Sequence, residues 1–371
     1  MKINVCSIGD PNSPKTWSGT SRNILDVLKK EDRVEMTFYA DQEALKSKAI
    51  QFLSMLYYKT FVDRNRGKFI RHAYGRSFVK KTAESKSKHT LHVGTCCLPA
   101  ALPKDQHHYF YCDFTWNLWS SQATNMGKYS NKLINDAEKV EYETYKNLDH
   151  IFSISEFVKA NLINHYHVPS EKITVVGTGT GVIKPFFGTK DYSNGKILFA
   201  AKGRFKDKGG DIVLKAFEKA LTINPNLQLS IVGQNDYTGL IDHPNIKTYG
   251  FIPIEELQDL FNTHSLFLMP ALNEPWGLVY LEALACKMPI IGLNRNSFPE
   301  LSGHGGYGFG INEADPDILA ECLAKALSDI PMLQNMAEKG QQNCLSNFTW
   351  DNTVEKIISK IEDLASVKVK N

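Results

Sequence analysis

Two carboxylates eight positions apart, Glu274 and Glu282, frame the segment that most restricts how this chain folds. Upstream, residues 266–270 form a short apolar run that ends in proline, which is typical of a buried strand. Pro275 suits the first position of a helix, because its missing N–H would have no intrahelical partner there. The segment therefore predicts a strand, a loop and the start of a helix.

The predicted helix start is suited to binding phosphate. The N–H groups of Gly277, Leu278 and Val279 would point out of the helix end, where hydrogen bonding and the helix dipole both favour an anion. Gly277 has no side chain to keep a ligand off the backbone. Glu282 lies about 7–8 Å further along the axis, a suitable reach from a diphosphate to the hydroxyls of the adjoining ribose. With Glu274 placed for hydroxyls on the other side, the segment predicts a nucleotide-sugar site.

The stretch from Glu274 to Ile291 resembles the donor-site signature of glycosyltransferase family 4, the retaining enzymes with the GT-B fold. The two glutamates and the run Ala-Leu-Ala-Cys-Lys-Met-Pro-Ile-Ile after Glu282 carry this resemblance. It implies an α/β protein with two doubly wound, Rossmann-like domains that face each other across a cleft. An ordinary solvated helix would explain the two carboxylates alone, but the proline, the glycine and the preceding strand favour the donor site.

Length and composition set the frame for this expectation. At 371 residues the chain is too long for one ordinary core, so two domains are expected. A net charge of +3 does not by itself indicate nucleic-acid binding. Seven cysteines without paired spacing, including the adjacent Cys96 and Cys97, indicate reduced thiols in a cytoplasmic protein. The N-terminus lacks the apolar core of a signal peptide, and no run approaches about 18 apolar residues.

The polar, turn-rich residues from Pro185 to Gly195 predict the domain boundary. We expect residues 1–188 to form an acceptor-binding domain and residues 189–347 to form a donor-binding domain. By the resemblance, residues 348–371 form a terminal helix that crosses back to the first domain.

The resemblance assigns further donor contacts. Arg204 and Lys208 resemble the family's pair for the donor diphosphate, to which arginine gives a forked contact and lysine a point charge. The spacing is shorter than usual, so Lys206 is an alternative to Lys208, and a loop of solvated cations is an alternative to the pair. Family members hold the base with backbone groups near Ile252. They often carry two glycines near the donor phosphates, where this chain has only Gly19.

The first half offers one candidate catalytic side chain. Family members commonly have a histidine that contacts the donor sugar, near the place where this chain has Cys112 and Asp113 after a predicted strand. We expect Asp113 to bind a hydroxyl of the sugar or of the acceptor. A helix N-cap or a structural aspartate is the alternative interpretation.

Residues 57–90 form a basic region. They contain ten lysines or arginines and two acidic residues, a net charge of +8, interleaved with aromatic and aliphatic residues. A solvated helical face with a core-facing stripe explains this pattern. An interfacial patch that meets anionic lipid or a lipid-diphosphate acceptor explains it too. Nucleic acid is not expected, because no recognised binding motif supports it. The expected location is cytoplasmic, with peripheral contact at the inner face of the membrane under the second interpretation.

Together these assignments predict transfer of a hexose-type sugar from a UDP- or GDP-linked donor to a hydroxyl of a glycan or lipid-linked acceptor, and the resemblance implies that the anomeric configuration is retained. Such a reaction would serve the synthesis of cell-surface polysaccharide or glycolipid. The predicted catalytic residues are Glu274, Arg204, Lys208 and Asp113. The helix end and two cations would stabilise the leaving diphosphate in place of a metal, so neither a metal nor a cofactor is expected. A nucleotide-sugar epimerase on the same fold and a non-catalytic subunit that binds a nucleotide-sugar or a lipid are the alternatives.

Overall fold

The computed structural model describes most of the chain, namely residues 1–7, 9–39, 47–60, 64–94, 98–123, 126–233 and 242–369. Cys96, Cys97 and residues 61–63 of the basic region lie outside the described residues. Contacts between residues divide the chain into two compact units. The first unit contains Met1–Thr178 and Trp350–Asn371, and the second contains Gly179–Thr349.

The first unit is built on a parallel sheet of six strands in the order β2-β1-β3-β4-β5-β6. Its strands are β1 (Ile3–Ser7), β2 (Val34–Tyr39), β3 (His89–Val93), β4 (His107–Cys112), β5 (His150–Ser153) and β6 (Ile173–Val175). The α-helices described in this unit before its terminal helix are α1 (Thr20–Lys30), α2 (Lys48–Tyr58), α3 (Lys68–Thr82), α4 (Trp116–Gln122), α5 (Asn131–Lys146) and α6 (Glu156–Asn164). Strands β1 and β5 are buried at every residue, as expected of parallel strands.

The second unit repeats this architecture with six parallel strands in the order β12-β11-β10-β7-β8-β9. Its strands are β7 (Lys196–Ala200), β8 (Gln228–Val232), β9 (Ile246–Gly250), β10 (Leu266–Leu268), β11 (Ile290–Leu293) and β12 (Gly308–Ile311). Its helices are α7 (Gly210–Ile223), α8 (Ile254–Thr263), α9 (Leu278–Ala285), α10 (Phe298–Leu301), α11 (Pro316–Ser328) and α12 (Ile330–Asn347).

The segment expected to be a boundary is packed into the second unit. The N–H of Phe186 donates to the carbonyl of Ala285 at 3.2 Å. The buried ammonium of Lys190 donates to the carbonyls of Phe261 and His264 at 2.7 and 2.6 Å. The expected boundary between residues 188 and 189 therefore falls inside the second unit, because hydrogen bonds attach this segment to α9 and to the end of α8.

The last helix, α13 (Trp350–Val369), lies in the first unit. The carboxylate of Glu362 contacts the amino terminus of Met1 at 3.2 Å and the guanidinium of Arg33 at 2.5 Å. The hydroxyl of Thr353 donates to the carbonyl of Val176 at 3.4 Å. In the part of the chain that the structure describes, each helix is too short or too polar to cross a bilayer.

Candidate functional site

The loop between β10 and α9 ends in a strained turn that only glycine suits. Gly277 is the N-cap of α9 and adopts φ 90° and ψ 73°, in the left-handed region. A Cβ atom at this position would lie 2.6 Å from Cδ2 of Tyr280 and 3.2 Å from Cγ of Glu274. The helix begins at Leu278, three residues after Pro275. The expectation that Pro275 is the first helical residue is therefore wrong, because the left-handed turn at Gly277 separates the proline from the helix.

The backbone amides at the start of α9 form the next part of the candidate site. The N–H of Tyr280 donates to the carbonyl of Gly277 at 2.9 Å. The amides of Gly277, Leu278 and Val279 precede this bond, so they belong to the end of the helix that lacks intrahelical acceptors. Leu278 and Val279 are half-buried. This end of α9 is suited to an anion of the size of a phosphate.

Glu282 lies one turn further along α9, and it is 8% exposed. Its Oε1 atom accepts hydrogen bonds from the backbone N–H groups of Val182 at 2.6 Å and of Ile183 at 3.1 Å. Burial raises the pKa of this carboxyl, and the two amide hydrogen bonds oppose the rise. Because both bonds use Oε1, the carboxylate is fixed by one oxygen and can present Oε2 to a ligand.

Gly181 allows Glu282 to reach this backbone. A Cβ atom on Gly181 would lie 2.2 Å from Oε1 of Glu282. The sequence alone did not identify this contact. The available signal was the Gly181-Val182 pair, but it lies 100 residues before the carboxylate that it holds.

Lys208 and Glu274, both predicted to contact the donor, form an ion pair with each other. Lys208 is 7% exposed, and its ammonium also donates to the carbonyl of Asn273 at 3.4 Å. The carbonyl of Glu274 accepts a hydrogen bond from Asn296 Nδ2 at 2.9 Å. The positions of both charged side chains are therefore set by neighbouring groups rather than by solvent.

The loop between β7 and α7 carries the other cation of the predicted pair. Arg204 is exposed, and its guanidinium contacts the carboxylate of Asp207 at 3.2 Å and the carbonyl of Asn273 at 3.4 Å. Lys206, the alternative to Lys208, is exposed in the same loop. The loop lies against the loop after β10, since a Cβ atom on Gly209 would be 2.3 Å from the carbonyl oxygen of Pro270.

The donor residues of the second unit follow three strands at one edge of its sheet. Arg204 follows β7, Ile252 follows β9, and Glu274 follows β10. The carboxyl ends of parallel strands meet at the same edge, where ligands of doubly wound sheets bind. Ile252 is half-buried, and its neighbour Phe251 is 56% exposed.

The two candidate residues of the first unit, Gly19 and Asp113, also come after strands of its parallel sheet. Gly19 follows β1 and is the N-cap of α1, with φ 84°. Asp113 follows β4 directly and is half-buried. The cap of the next helix is Thr115, whose hydroxyl accepts from the N–H of Leu118 at 3.2 Å. The alternative interpretation of Asp113 as that N-cap is therefore wrong.

Comparison with known proteins bears on the second half most strongly. Residues 185–343 match the family model described as Glycosyl transferases group 1. This match contains Arg204, Lys208, Ile252 and the segment from Glu274 to Glu282. The resemblance predicted from the sequence is confirmed.

Relatives and solved structures extend the similarity along the chain. The D-inositol 3-phosphate glycosyltransferase of Corynebacterium diphtheriae is 24% identical over 235 residues, which cover 56% of this chain and 55% of that protein. The chain spans about half the length of several curated relatives that it matches.

Two solved structures resemble nearly the whole chain. The sucrose-phosphate synthase of Thermosynechococcus elongatus has a TM-score of 0.72 at 14% identity and covers 99% of this chain and 100% of its own. Anabaena HepE in complex with UDP has a TM-score of 0.67 at 15% identity and covers 98% of this chain and 100% of its own. The predicted class, α/β with two Rossmann-like domains of the GT-B type, is confirmed.

Proposed function

We propose that this protein moves a hexose-type sugar from a nucleotide-sugar to a hydroxyl group, because residues 185–343 match the family model described as Glycosyl transferases group 1. The donor is linked to UDP or GDP, and the acceptor is a glycan or a lipid-linked sugar. One observation carries the proposal: the second unit brings Lys208, Glu274, the first turn of α9 and the anchored Glu282 together. The complex of the similar HepE with UDP supports a nucleoside diphosphate as part of the donor.

The donor would lie along α9. Its diphosphate accepts hydrogen bonds from the amides of Gly277, Leu278 and Val279, where the helix dipole adds to the attraction. The ribose hydroxyls donate to Oε2 of Glu282, while Oε1 stays bonded to the backbone. This division of one carboxylate between protein and ligand fixes the distance from the phosphates to the ribose.

The Lys208–Glu274 pair supplies the chemistry at the other end of the diphosphate. In the free protein each charge neutralises the other. An arriving diphosphate offers Lys208 a stronger partner of two negative charges, which leaves Glu274 able to accept hydrogen bonds from hydroxyls of the transferred sugar. The pair thus holds Glu274 at the sugar position before the donor binds.

Bond cleavage leaves negative charge on the departing diphosphate. Arg204, Lys208 and the amides of α9 are positioned to stabilise that charge, which is larger in the transition state than in the bound donor. We propose that these groups suffice without a divalent metal and that the anomeric configuration is retained. The leaving phosphate oxygen takes the proton of the acceptor hydroxyl, so no separate base is required.

The remaining assignments concern the first unit. Gly19 and Asp113 follow two strands of its sheet, and we assign Asp113 to a hydroxyl of the sugar or acceptor and Gly19 to the donor phosphates. We also propose that the basic region contacts an anionic membrane at its inner face. Such contact would place a lipid-linked acceptor near a cytoplasmic enzyme that makes surface polysaccharide or glycolipid.

A panel of UDP- and GDP-sugars tests the proposed reaction. Thermal shift identifies the donor that binds, and slow hydrolysis of that donor, accelerated by sugar acceptors, identifies transfer. We expect one base to be preferred and Glu282→Ala to weaken its binding. Isomerisation of the free donor without an acceptor would instead establish an epimerase, and donor binding that is insensitive to Glu274 and Glu282 would contradict the site.

A further inference from the structure

Helix α2 presents apolar side chains to the surface. Phe52, Leu53 and Leu56 are 56%, 56% and 55% exposed. Their spacing places them on one face of the helix. A surface helix of a globular protein normally presents polar residues on its outer face. This outer face therefore requires an explanation other than packing within the unit.

The inner face of α2 fixes the helix in this orientation. Ser54 and Tyr58 are fully buried. The phenol of Tyr58 donates to Oδ2 of Asp136 at 2.8 Å and accepts from the N–H of Lys68 at 2.9 Å. Ile50 packs against a buried cluster on α3. A rotation that buried the apolar outer face would break these contacts.

Within α2 and α3, every charged side chain is a cation. Helices α2 and α3 pack together, and neither contains an aspartate or a glutamate. Lys48 and Lys59 are exposed at the two ends of α2, and Arg76 and Lys80 are exposed on α3. Val79 of α3 adds a further apolar side chain that is 49% exposed.

We propose that the outer faces of α2 and α3 form a docking surface for an anionic lipid bilayer. Phe52, Leu53 and Leu56 enter the boundary between headgroups and acyl chains, as the apolar face of an interfacial helix does. The long side chains of Lys48 and Lys59 keep their ammonium groups among the anionic headgroups. The absence of acidic residues from both helix sequences favours this occupant over a protein surface of mixed charge.

This inference deepens the membrane contact given under the proposed function and rests on it, but it is independent of sugar transfer. The sequence placed the contact in residues 57–90. The structure adds α2, most of which lies before residue 57, as the element that enters the bilayer. The apolar contribution resists salt, whereas the contribution of the cations weakens as the ionic strength rises. Binding is therefore expected to fall only partly at high salt.

The first experiment removes the apolar contribution. The full chain is sedimented with vesicles of phosphatidylcholine containing phosphatidylglycerol. The double variant Phe52→Gln/Leu56→Gln keeps the charge and the helix, and we expect it to partition about 10- to 100-fold less, because two buried apolar side chains are lost. Ile223→Gln is the matched control, since Ile223 is 66% exposed at the end of α7 in the second unit. It should bind like the wild type.

The second experiment removes charge. We expect Arg76→Gln/Lys80→Gln to bind about 25-fold more weakly at low salt, since each cation near an anionic surface contributes about fivefold. At high salt this variant should approach the wild type, whereas Phe52→Gln/Leu56→Gln should stay weaker at every salt concentration. Binding of UDP or GDP should be unchanged in both variants.

The outcomes separate the two levels of the claim. If the wild type does not bind anionic vesicles, the proposed membrane contact is overturned. If Phe52→Gln/Leu56→Gln binds the vesicles as well as the wild type does, α2 is not the docking element. Light scattering measures the third outcome. If the wild type is a dimer, this double variant is a monomer and vesicle binding is unchanged, the surface serves self-association and the inference is overturned.

Discussion

The strand–loop–helix turns of the two units share a glycine but differ in how tightly they are packed. Gly19 in the first unit and Gly209 and Gly277 in the second all cap a helix at a left-handed φ, between 82° and 90°. A Cβ atom on Gly19 would have its nearest neighbour at 3.6 Å, which is ordinary contact. On Gly209 or Gly277 it would lie 2.3 or 2.6 Å from other atoms.

This difference shows that the same type of turn can have free space around its glycine or be tightly packed by neighbouring residues. In the second unit the turns are packed against each other, and their charged side chains already have partners. In the first unit the turn at Gly19 has space around it. A site whose groups are held before the ligand arrives loses less entropy on binding. The second unit is therefore organised for a defined ligand, the donor, and the first unit tolerates more variation.

The largest expected difference between the units concerns their charged residues. Lys208→Met leaves Glu274 largely buried without its partner, so kcat/KM should fall about 100- to 1,000-fold. Glu274→Gln should have a similar effect, and the double variant should lose much less than the product, because the two residues act as a pair. Steady-state kinetics of donor and acceptor measure this cycle. Asp113→Asn in the first unit is expected to cost only about tenfold, because its assigned role is a single hydrogen bond to a hydroxyl; a loss as large as that of Lys208→Met would break the comparison.

A glycine exchange probes the turns directly. Gly277→Ala should weaken UDP or GDP binding about 30- to 100-fold, because the left-handed φ and the contact with Tyr280 both oppose the new methyl group. Gly19→Ala meets only the strain of the left-handed φ and should weaken binding less than about tenfold. Calorimetric titration with the nucleotide compares the two. Equal losses would show that packing around Gly277 has no bearing on the site.

Gly181→Ala sharpens the account of Glu282. The methyl group would displace Oε1 from its two backbone donors, so nucleotide binding should weaken about tenfold, as in Glu282→Ala. Transfer from saturating donor should change little. Gly127→Ala is the control, because a Cβ atom there would meet no heavy atom within 4 Å. If Gly181→Ala binds the nucleotide as well as Gly127→Ala does, the carboxylate does not need this anchor.

The smallest expected effect is a pH dependence of stability in the second unit. Burial lowers the pKa of Lys190 to about 7, from its ordinary value of 10.5. Above pH 7 the folded protein has released this proton and the unfolded chain still holds it, so stability should rise with pH between the two values. The gain from pH 7 to pH 8 is about 1 kcal/mol at most.

Urea unfolding at the two pH values measures this gain. Lys190→Met should remove it. In the first unit, burial lowers the pKa of His150 to about 4, from 6.5, so His150→Gln should leave the slope between pH 7 and pH 8 unchanged. A slope that survives in Lys190→Met would assign the pH dependence to another group.

The sequence predicted what local spacing determines. The strand before Glu274, the glycine at the helix start and the spacing of five positions from Gly277 to Glu282 depend on neighbours in the chain, and the structure contains them. The contacts that complete the site are not local. Lys208 meets Glu274 across 66 positions, and Val182 meets Glu282 across 100. Two residues so far apart in the sequence leave no periodic pattern, so their contact can be identified only in the folded structure.

Some local expectations failed for a related reason. Pro275 suits a first helical position, yet packing of Tyr280 and Glu274 around Gly277 moved the helix start to Leu278. The apolar stripe of α2 has ordinary helical spacing, and spacing alone does not tell which face meets the core. The buried contacts of Tyr58 determine that orientation, and they involve a residue of α5.

A crystal structure with UDP or GDP tests the central claim most directly. The account predicts the diphosphate at the amides of Gly277–Val279 and the ribose at Oε2 of Glu282, with Oε1 still bonded to Val182 and Ile183. A nucleotide bound elsewhere, with the first turn of α9 unoccupied and Lys208 still paired with Glu274, would contradict it.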